Sequence, residues 1–256
     1  MTTINILSIG NSFSQDAHRY LHELAKSEGV SIQTINLYIG GCSLEQHFYN
    51  VMEDKKAYLL EMNGYSVSGF MVSIKEALLA RNWNYVTLQQ ASHNSFDYET
   101  YQPYLTELAA YIRKYSPNAK LLIHQTWGYE TGSDRLHNLN RGYKTFENMF
   151  TDIKRCYAQA VLETQAEGII SSGQAFSYAL KYVERIHRDT FHASFGLGRF
   201  ILALVWYKTI TENDIDHISF HEFDEEITEQ EYKLAIEAAN SVFRSFEDNA
   251  PYATVS

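Results

Sequence analysis

Ile4 to Ile9 is a short, mostly apolar run that ends in Gly10-Asn11-Ser12. A run of that length closed by turn residues predicts a buried strand feeding a loop. Ala17, Tyr20, Leu21, Leu24 and Ala25 follow at helical spacing, with Gly29 as a stop signal. Ser31 to Tyr38 predicts a second strand, closed by Gly40-Gly41, and the mixed stretch Leu44 to Leu60 predicts a helix. Further on, strands are expected at Trp83–Gln89, Ala119–His124 and Gly168–Ile170. Helices are expected at Tyr98–Tyr115 and Phe146–Ala166, with a polar surface loop at Thr131–Asn140. Ser194 to Ile210 is apolar on nearly every side and predicts a buried helix. An amphipathic helix at Thr228–Phe246 closes the pattern, with Thr228 and Glu231 spaced as a capping box. Strands alternating with helices predict an α/β fold whose mostly parallel sheet is covered on both faces.

The 256 residues and 45% hydrophobic content are enough for a full core, and no linker or repeat divides the chain. One domain over residues 1–256 is therefore expected. The formal charge of −10, with no cluster of Lys and Arg, argues against nucleic acid as a partner. No window approaches the ~18 apolar residues of a membrane helix, and the first residues lack the pattern of a secretory signal. The expectation is a cytoplasmic protein with no membrane partner, in which Cys42 and Cys156 are free thiols. The unusual figure is 19 Tyr and 14 Phe, since tyrosine suits the half-wet wall of a cleft as well as a core.

Ligands of open α/β sheets bind beyond the carboxyl ends of the strands, which directs attention to four segments. Gly10-Asn11-Ser12-Phe13-Ser14 puts serines on a tight strand-to-helix turn, where each can be a nucleophile or a helix cap. Ile39-Gly40-Gly41-Cys42-Ser43 offers unhindered backbone N–H groups, or an ordinary turn. No base is evident for Cys42, which reads as a small buried thiol. Leu88-Gln89-Gln90-Ala91-Ser92-His93-Asn94-Ser95 can line a site with polar side chains. Asp189-Thr190-Phe191-His192 can supply a general base and the carboxylate that orients it, or merely a capped turn.

Taken in order, these segments resemble the blocks of the SGNH (GDSL-like) hydrolase superfamily. Gly10-Asn11-Ser12-Phe13 resembles the first, with Asn11 where the family has Asp, and Gly41 resembles the second. Asp189-Thr190-Phe191-His192 resembles the last closely. The third block departs, with Gln90-Ala91-Ser92-His93 in place of Gly-x-Asn-Asp. Together with His124-Gln125-Thr126-Trp127, the set is similar to a poorly characterised bacterial branch related to carbohydrate esterases, a domain family of unknown function. The resemblance implies a three-layer α/β/α sandwich of flavodoxin-like order and a Ser12-His192-Asp189 triad. It also implies an oxyanion hole from the Ser12 and Gly41 N–H groups, with Ser92 or Gln90 in place of the family's Asn.

The expected activity is two-step hydrolysis of a small ester, acetyl first, on a sugar or another small molecule, with no cofactor and no metal. Asn11, Gln89 and Trp127 are expected at the substrate, with Tyr38 and Tyr129 as further stacking surfaces. The alternatives are a carbohydrate-binding protein on the same scaffold and a thioesterase or lysophospholipase. A metal hydrolase through His217 and His221 lacks the HExxH arrangement, and that acidic stretch reads as solvated surface.

Overall fold

A computed structural model of the chain describes residues 2–139 and 141–248. The strands are β1 (Ile4–Gly10), β2 (Ile32–Tyr38), β3 (Tyr58–Met62), β4 (Tyr65–Val72), β5 (Tyr85–Leu88), β6 (Lys120–His124) and β7 (Gly168–Ile170). The helices before β6 are α1 (Ser12–His18), α2 (Leu21–Ser27), α3 (Leu44–Met52), α4 (Ile74–Leu79) and α5 (Tyr104–Tyr115). After it come α6 (Asp134–His137), α7 (Phe146–Thr164), α8 (Ser172–Ala179), α9 (Leu197–Thr211) and α10 (Glu229–Asp248).

The seven strands form one sheet in the order β4-β3-β2-β1-β5-β6-β7. All neighbours from β2 through β7 are parallel, while β3 and β4 add an antiparallel edge. Renumbered among themselves, the parallel strands run 2-1-3-4-5, the flavodoxin-like order, whose reversal lies at β1. One helix group gathers on α9, which contacts α1, α2, α8 and α10, and another on α5, which contacts α3, α4 and α7. The α9 helix is apolar all round because it is covered all round: Phe200 through Trp206 are each fully buried. No helix among the described residues is long and apolar enough to cross a membrane.

The helix expected to continue to Leu60 instead stops at Met52, and the chain makes the β3–β4 hairpin. Its turn is Asn63-Gly64, both at positive φ (52° and 81°), the two-residue arrangement whose twist matches antiparallel strands. The helix expected around Ala17–Ala25 is two helices, α1 and α2. The one expected over Tyr98–Tyr115 begins as a single 3₁₀ turn and becomes α-helical only after Pro103. Within the polar loop 131–140 lies the one-turn α6, and Asn140 is outside the described residues. At α10 the capping box forms, with the Thr228 N–H and hydroxyl both donating to Glu231 Oε2 at 2.8 Å.

Histidines are built into the interior between strands and helices. Thr87 donates to Ser8 Oγ at 2.8 Å, and Ser8 meets His18 Nε2 at 2.9 Å. Burial pushes His18, His47 and His124 down to about 3. In the unfolded chain each ring takes a proton below about pH 6.5, whereas the folded state leaves it neutral. The unfolded state thus binds more protons, so stability is full above that value and is lost as pH falls from it toward the folded pKa. The unfolding free energy should drop by about 1 kcal/mol per buried histidine between about pH 6.5 and 5.5. Denaturant titrations at the two pH values measure this, and equal midpoints would contradict it.

Candidate active site

The parallel order reverses at β1, and the chain leaves that strand through Gly10. A Cβ on Gly10 would stand 2.2 Å from Ser14 Oγ, so only hydrogen fits. Asn11 and Ser14 then cap α1 reciprocally: Asn11 Oδ1 accepts from Phe13 N at 3.0 Å, and Ser14 Oγ accepts from Asn11 N at 3.0 Å. Capping is complete without Ser12. As first residue of the helix, Ser12 has an N–H with no intrahelical acceptor. Its Oγ lies 2.8 Å from His192 Nε2.

His192 sits on a loop pinched by a bridge between His187 and Ala193. Asp189 Oδ2 accepts from His192 Nδ1 at 2.7 Å, and Oδ1 accepts from His192 N at 2.9 Å. With Nδ1 donating, Nε2 aims its lone pair at Ser12 Oγ. Partial burial works to raise the Asp189 carboxyl, but the hydrogen bonds from His192 outweigh it and hold it below the usual carboxylate range. The Asp189 side chain is 46% exposed and that of His192 16%, so the pair lies in an open cleft.

The His192 loop is clamped to α1 by charge. Asp16, one turn after Ser12 and fully buried, accepts from Arg188 at 2.8 Å and from Arg199 Nε at 2.9 Å. It also accepts from Ala193 N at 3.2 Å, and Arg199 goes on to Asp224 at 2.7 Å.

Ser12 and His192 open onto a cavity of about 350 Å³, lined also by Tyr38, Gly41, Ser92, His93 and Tyr129. Gly41 takes φ +65°, a conformation costly for a side-chain-bearing residue, and so presents its backbone to the cavity. Ser92 Oγ and Tyr129 Oη are 2.9 Å apart. Burial moves the His93 imidazole below its ordinary value.

Three expected contacts are not where the sequence placed them. Gln90 is buried and faces away: its amide NH₂ donates to Thr100 O at 3.0 Å, while Oε1 accepts from Leu44 N and Ala91 N. It therefore braces a loop and has no donor left for an oxyanion. Trp127 is fully buried, stacked on Phe13 with centroids 4.2 Å apart, its Nε1 donating to Phe191 O. Gln89 is buried behind the cavity. Asn11 borders the cavity, yet its carboxamide is already committed on both sides.

Gln89 and Asn11 belong to one directed line of hydrogen bonds. Neutral His124 accepts from Ser172 Oγ at 3.0 Å through Nε2 and donates from Nδ1 to Gln89 Oε1 at 2.7 Å. Gln89 Nε2 donates to Asn11 Oδ1 at 2.7 Å, and Asn11 Nδ2 donates to Cys42 O at 3.1 Å. This explains the departure from the family's Asp: an ionised carboxylate at position 11 has no proton to give the Cys42 carbonyl. Cys42 itself is fully buried, 3.4 Å from His47 Nδ1. Burial pushes its thiol up to about 12, away from nucleophilic use. The residues that sequence reasoning passed over are Arg135, on the loop taken as plain surface, and Phe191, inside the Asp-x-x-His segment. The His217–His221 stretch is non-helical, with His221 stacked on Tyr232. No three His, Cys, Asp or Glu converge as a metal site among the described residues.

A 2-1-3-4-5 parallel sheet with serine beyond its first strand, facing an Asp-x-x-His loop, defines the SGNH hydrolase fold. The chain belongs to the family described as domain of unknown function DUF4886, whose model matches residues 5–242. It is similar to a DUF4886 family protein from Bacteroides uniformis, with 33% identity, 95% of each chain covered and a TM-score of 0.88. Likeness in fold extends to a protein classed as an SGNH hydrolase from Slackia heliotrinireducens, at 21% identity and TM-score 0.60, covering 82% of this chain and 100% of that one. It extends also to a family 3 carbohydrate esterase from Clostridium thermocellum, at 15% identity and TM-score 0.50, covering 81% and 94%. No curated protein matches the chain.

Two substitutions test this construction. Asn11→Asp should cost about 1–3 kcal/mol, because the Cys42 carbonyl loses its donor and a charge is buried in exchange. Asp16→Ala should cost about 3–5 kcal/mol by leaving Arg188 and Arg199 without their shared carboxylate. Both are read from denaturation midpoints, and a change below about 0.5 kcal/mol in either case would remove the role assigned to that residue.

Proposed function

We propose that the chain is a serine esterase that hydrolyses a small acyl ester, acetyl first, on a carbohydrate. The observation that carries this reading is the unbroken line Asp189–His192–Ser12, with bonds of 2.7 and 2.8 Å, ending at the cavity. Hydrogen bonds of that length between nucleophile, base and orienting group are the working geometry of acyl transfer.

His192 Nε2 takes the Ser12 proton as Oγ attacks the ester carbonyl. The carbonyl oxygen becomes an oxyanion, facing the N–H groups of Ser12 and Gly41. Ser92 supplies the third donor, since Tyr129 can give its own proton to Ser92 Oγ and free the serine hydroxyl's hydrogen for the substrate. As the intermediate collapses, the imidazolium returns the proton to the departing alcohol, leaving an acyl-Ser12 ester. Water then attacks that ester with His192 as base, releasing the acid and restoring the serine. Asp189, held ionised, stabilises the imidazolium at both stages. A cavity of about 350 Å³ suits a short acyl group and part of one sugar ring better than a long chain. The carbohydrate assignment also leans on the shared fold with the Clostridium thermocellum carbohydrate esterase.

Hydrolysis of 4-nitrophenyl acetate should fall by about 10³-fold or more in Ser12→Ala, whereas the rate should decline as the acyl chain lengthens from acetate to octanoate. Equal rates in wild type and Ser12→Ala would end the esterase reading. A rising rate with chain length would replace the acetyl assignment with a lipid or thioester one. Wild-type Ser12 should also be labelled by a fluorophosphonate, and an unreactive serine would leave a binding protein on a hydrolase scaffold.

A further inference from the structure

One cation stands at the mouth of this cavity in a chain whose net charge is −10. Arg135 lies on α6, a single turn capped by Ser133 Oγ, which accepts from Leu136 N at 3.2 Å, and anchored by the fully buried Leu136. Its guanidinium carbon is 3.9 Å from the centroid of the Phe191 ring, and that ring is 3.8 Å from the His192 ring. The guanidinium also neighbours Tyr129, whose phenol it draws down against the larger upward push of burial.

None of these partners is negative. Among the described residues Arg135 takes part in no ion pair, although arginines elsewhere do: Arg19 and Arg199 with Asp224, Arg141 with Asp97, Arg185 with Glu130. None of the described residues lining the cavity is Asp or Glu, and Asp189 is committed to His192. An aromatic platform seats the guanidinium beside Tyr129, and no carboxylate among the described residues meets its N–H fork, which can receive a carboxylate through two hydrogen bonds.

We propose that Arg135 binds a carboxylate on the alcohol half of the substrate, so that the esters taken at this site are acylated acidic sugars of the uronic acid class. The inference rests on the esterase reading above. It also departs from what net charge alone implies, a preference for neutral esters, because a cation on the cavity lining acts at short range, where the charge of the distant surface is screened.

The test compares kcat/KM for 3-acetoxybenzoate and for its neutral methyl ester, in wild type, Arg135→Gln and Arg135→Lys, with uncatalysed rates subtracted. The wild type should favour the anion by about fivefold to tenfold, expressed in KM, and the preference should shrink in high salt. Arg135→Gln should bring the ratio to about one, and Arg135→Lys should retain part of it. A second arm, 4-nitrophenyl hydrogen glutarate against its methyl ester, carries the carboxylate on the acyl side. A preference confined to that arm overturns the assignment to the alcohol, and no preference in either arm, or one that survives Arg135→Gln, overturns the role of Arg135. Calorimetric binding of both benzoates to Ser12→Ala reads the same ratio without turnover. Hydrolysis that depends on Ser12 but ignores charge sinks this inference alone, while hydrolysis independent of Ser12 sinks the esterase reading with it.

Discussion

The buried carboxylate of Asp16 is the constraint on which the site depends. Its two oxygens bind Arg188 and the Ala193 N–H of the His192 loop and Arg199 of α9, so two distant parts of the chain converge on one α1 charge. A carboxylate withdrawn from water is costly unless its lone pairs are filled, and here two guanidinium groups and a backbone N–H fill them. Because Asp16 is on α1 and Arg188 immediately precedes Asp189, the ion cluster fixes the distance between the serine helix and the histidine loop. The Ser12–His192 bond is then a consequence of geometry imposed one helical turn below it.

The other side of the site is fixed by neutral groups. The line from Ser172 through His124, Gln89 and Asn11 to the Cys42 carbonyl joins the ends of β1, β5 and β6 to the Gly40-Gly41 turn. Every proton in it has one available direction, because His124 stays neutral and Gln89 must donate to an oxygen that is already a helix cap. Such a line tolerates little rotation of any member. The two devices are complementary: charge positions the His192 loop, and a rigid amide relay positions the Gly40-Gly41 backbone at the cavity.

Much of this was legible in residue order. The alternation of apolar runs with helical spacing identified the parallel units, and Gly10-Asn11-Ser12 and Asp189-x-x-His192 marked the strand end and loop that meet. The β3–β4 edge was not read, although Asn63-Gly64 is a hairpin signal, because Tyr58-Leu59-Leu60 fits a helix and a strand equally well over so few residues. Gln89 and Trp127 suit a substrate contact by their chemistry, and Gln90 suits an oxyanion donor. Their true partners, His124, Thr100 and Phe13, are far away in sequence or carry no pattern that announces a contact. Arg135 was invisible for the opposite reason: a polar loop residue stands out only once Phe191 is seen beneath it.

Ser12 and His192 are 180 positions apart. Every strand from β2 to β7 lies between them in the chain, so their contact must wait for the intervening sheet to close. Until that sheet closes, the Ser12 hydroxyl has no imidazole beside it. The connectivity of the fold thus makes the Ser12–His192 pair a late product of folding.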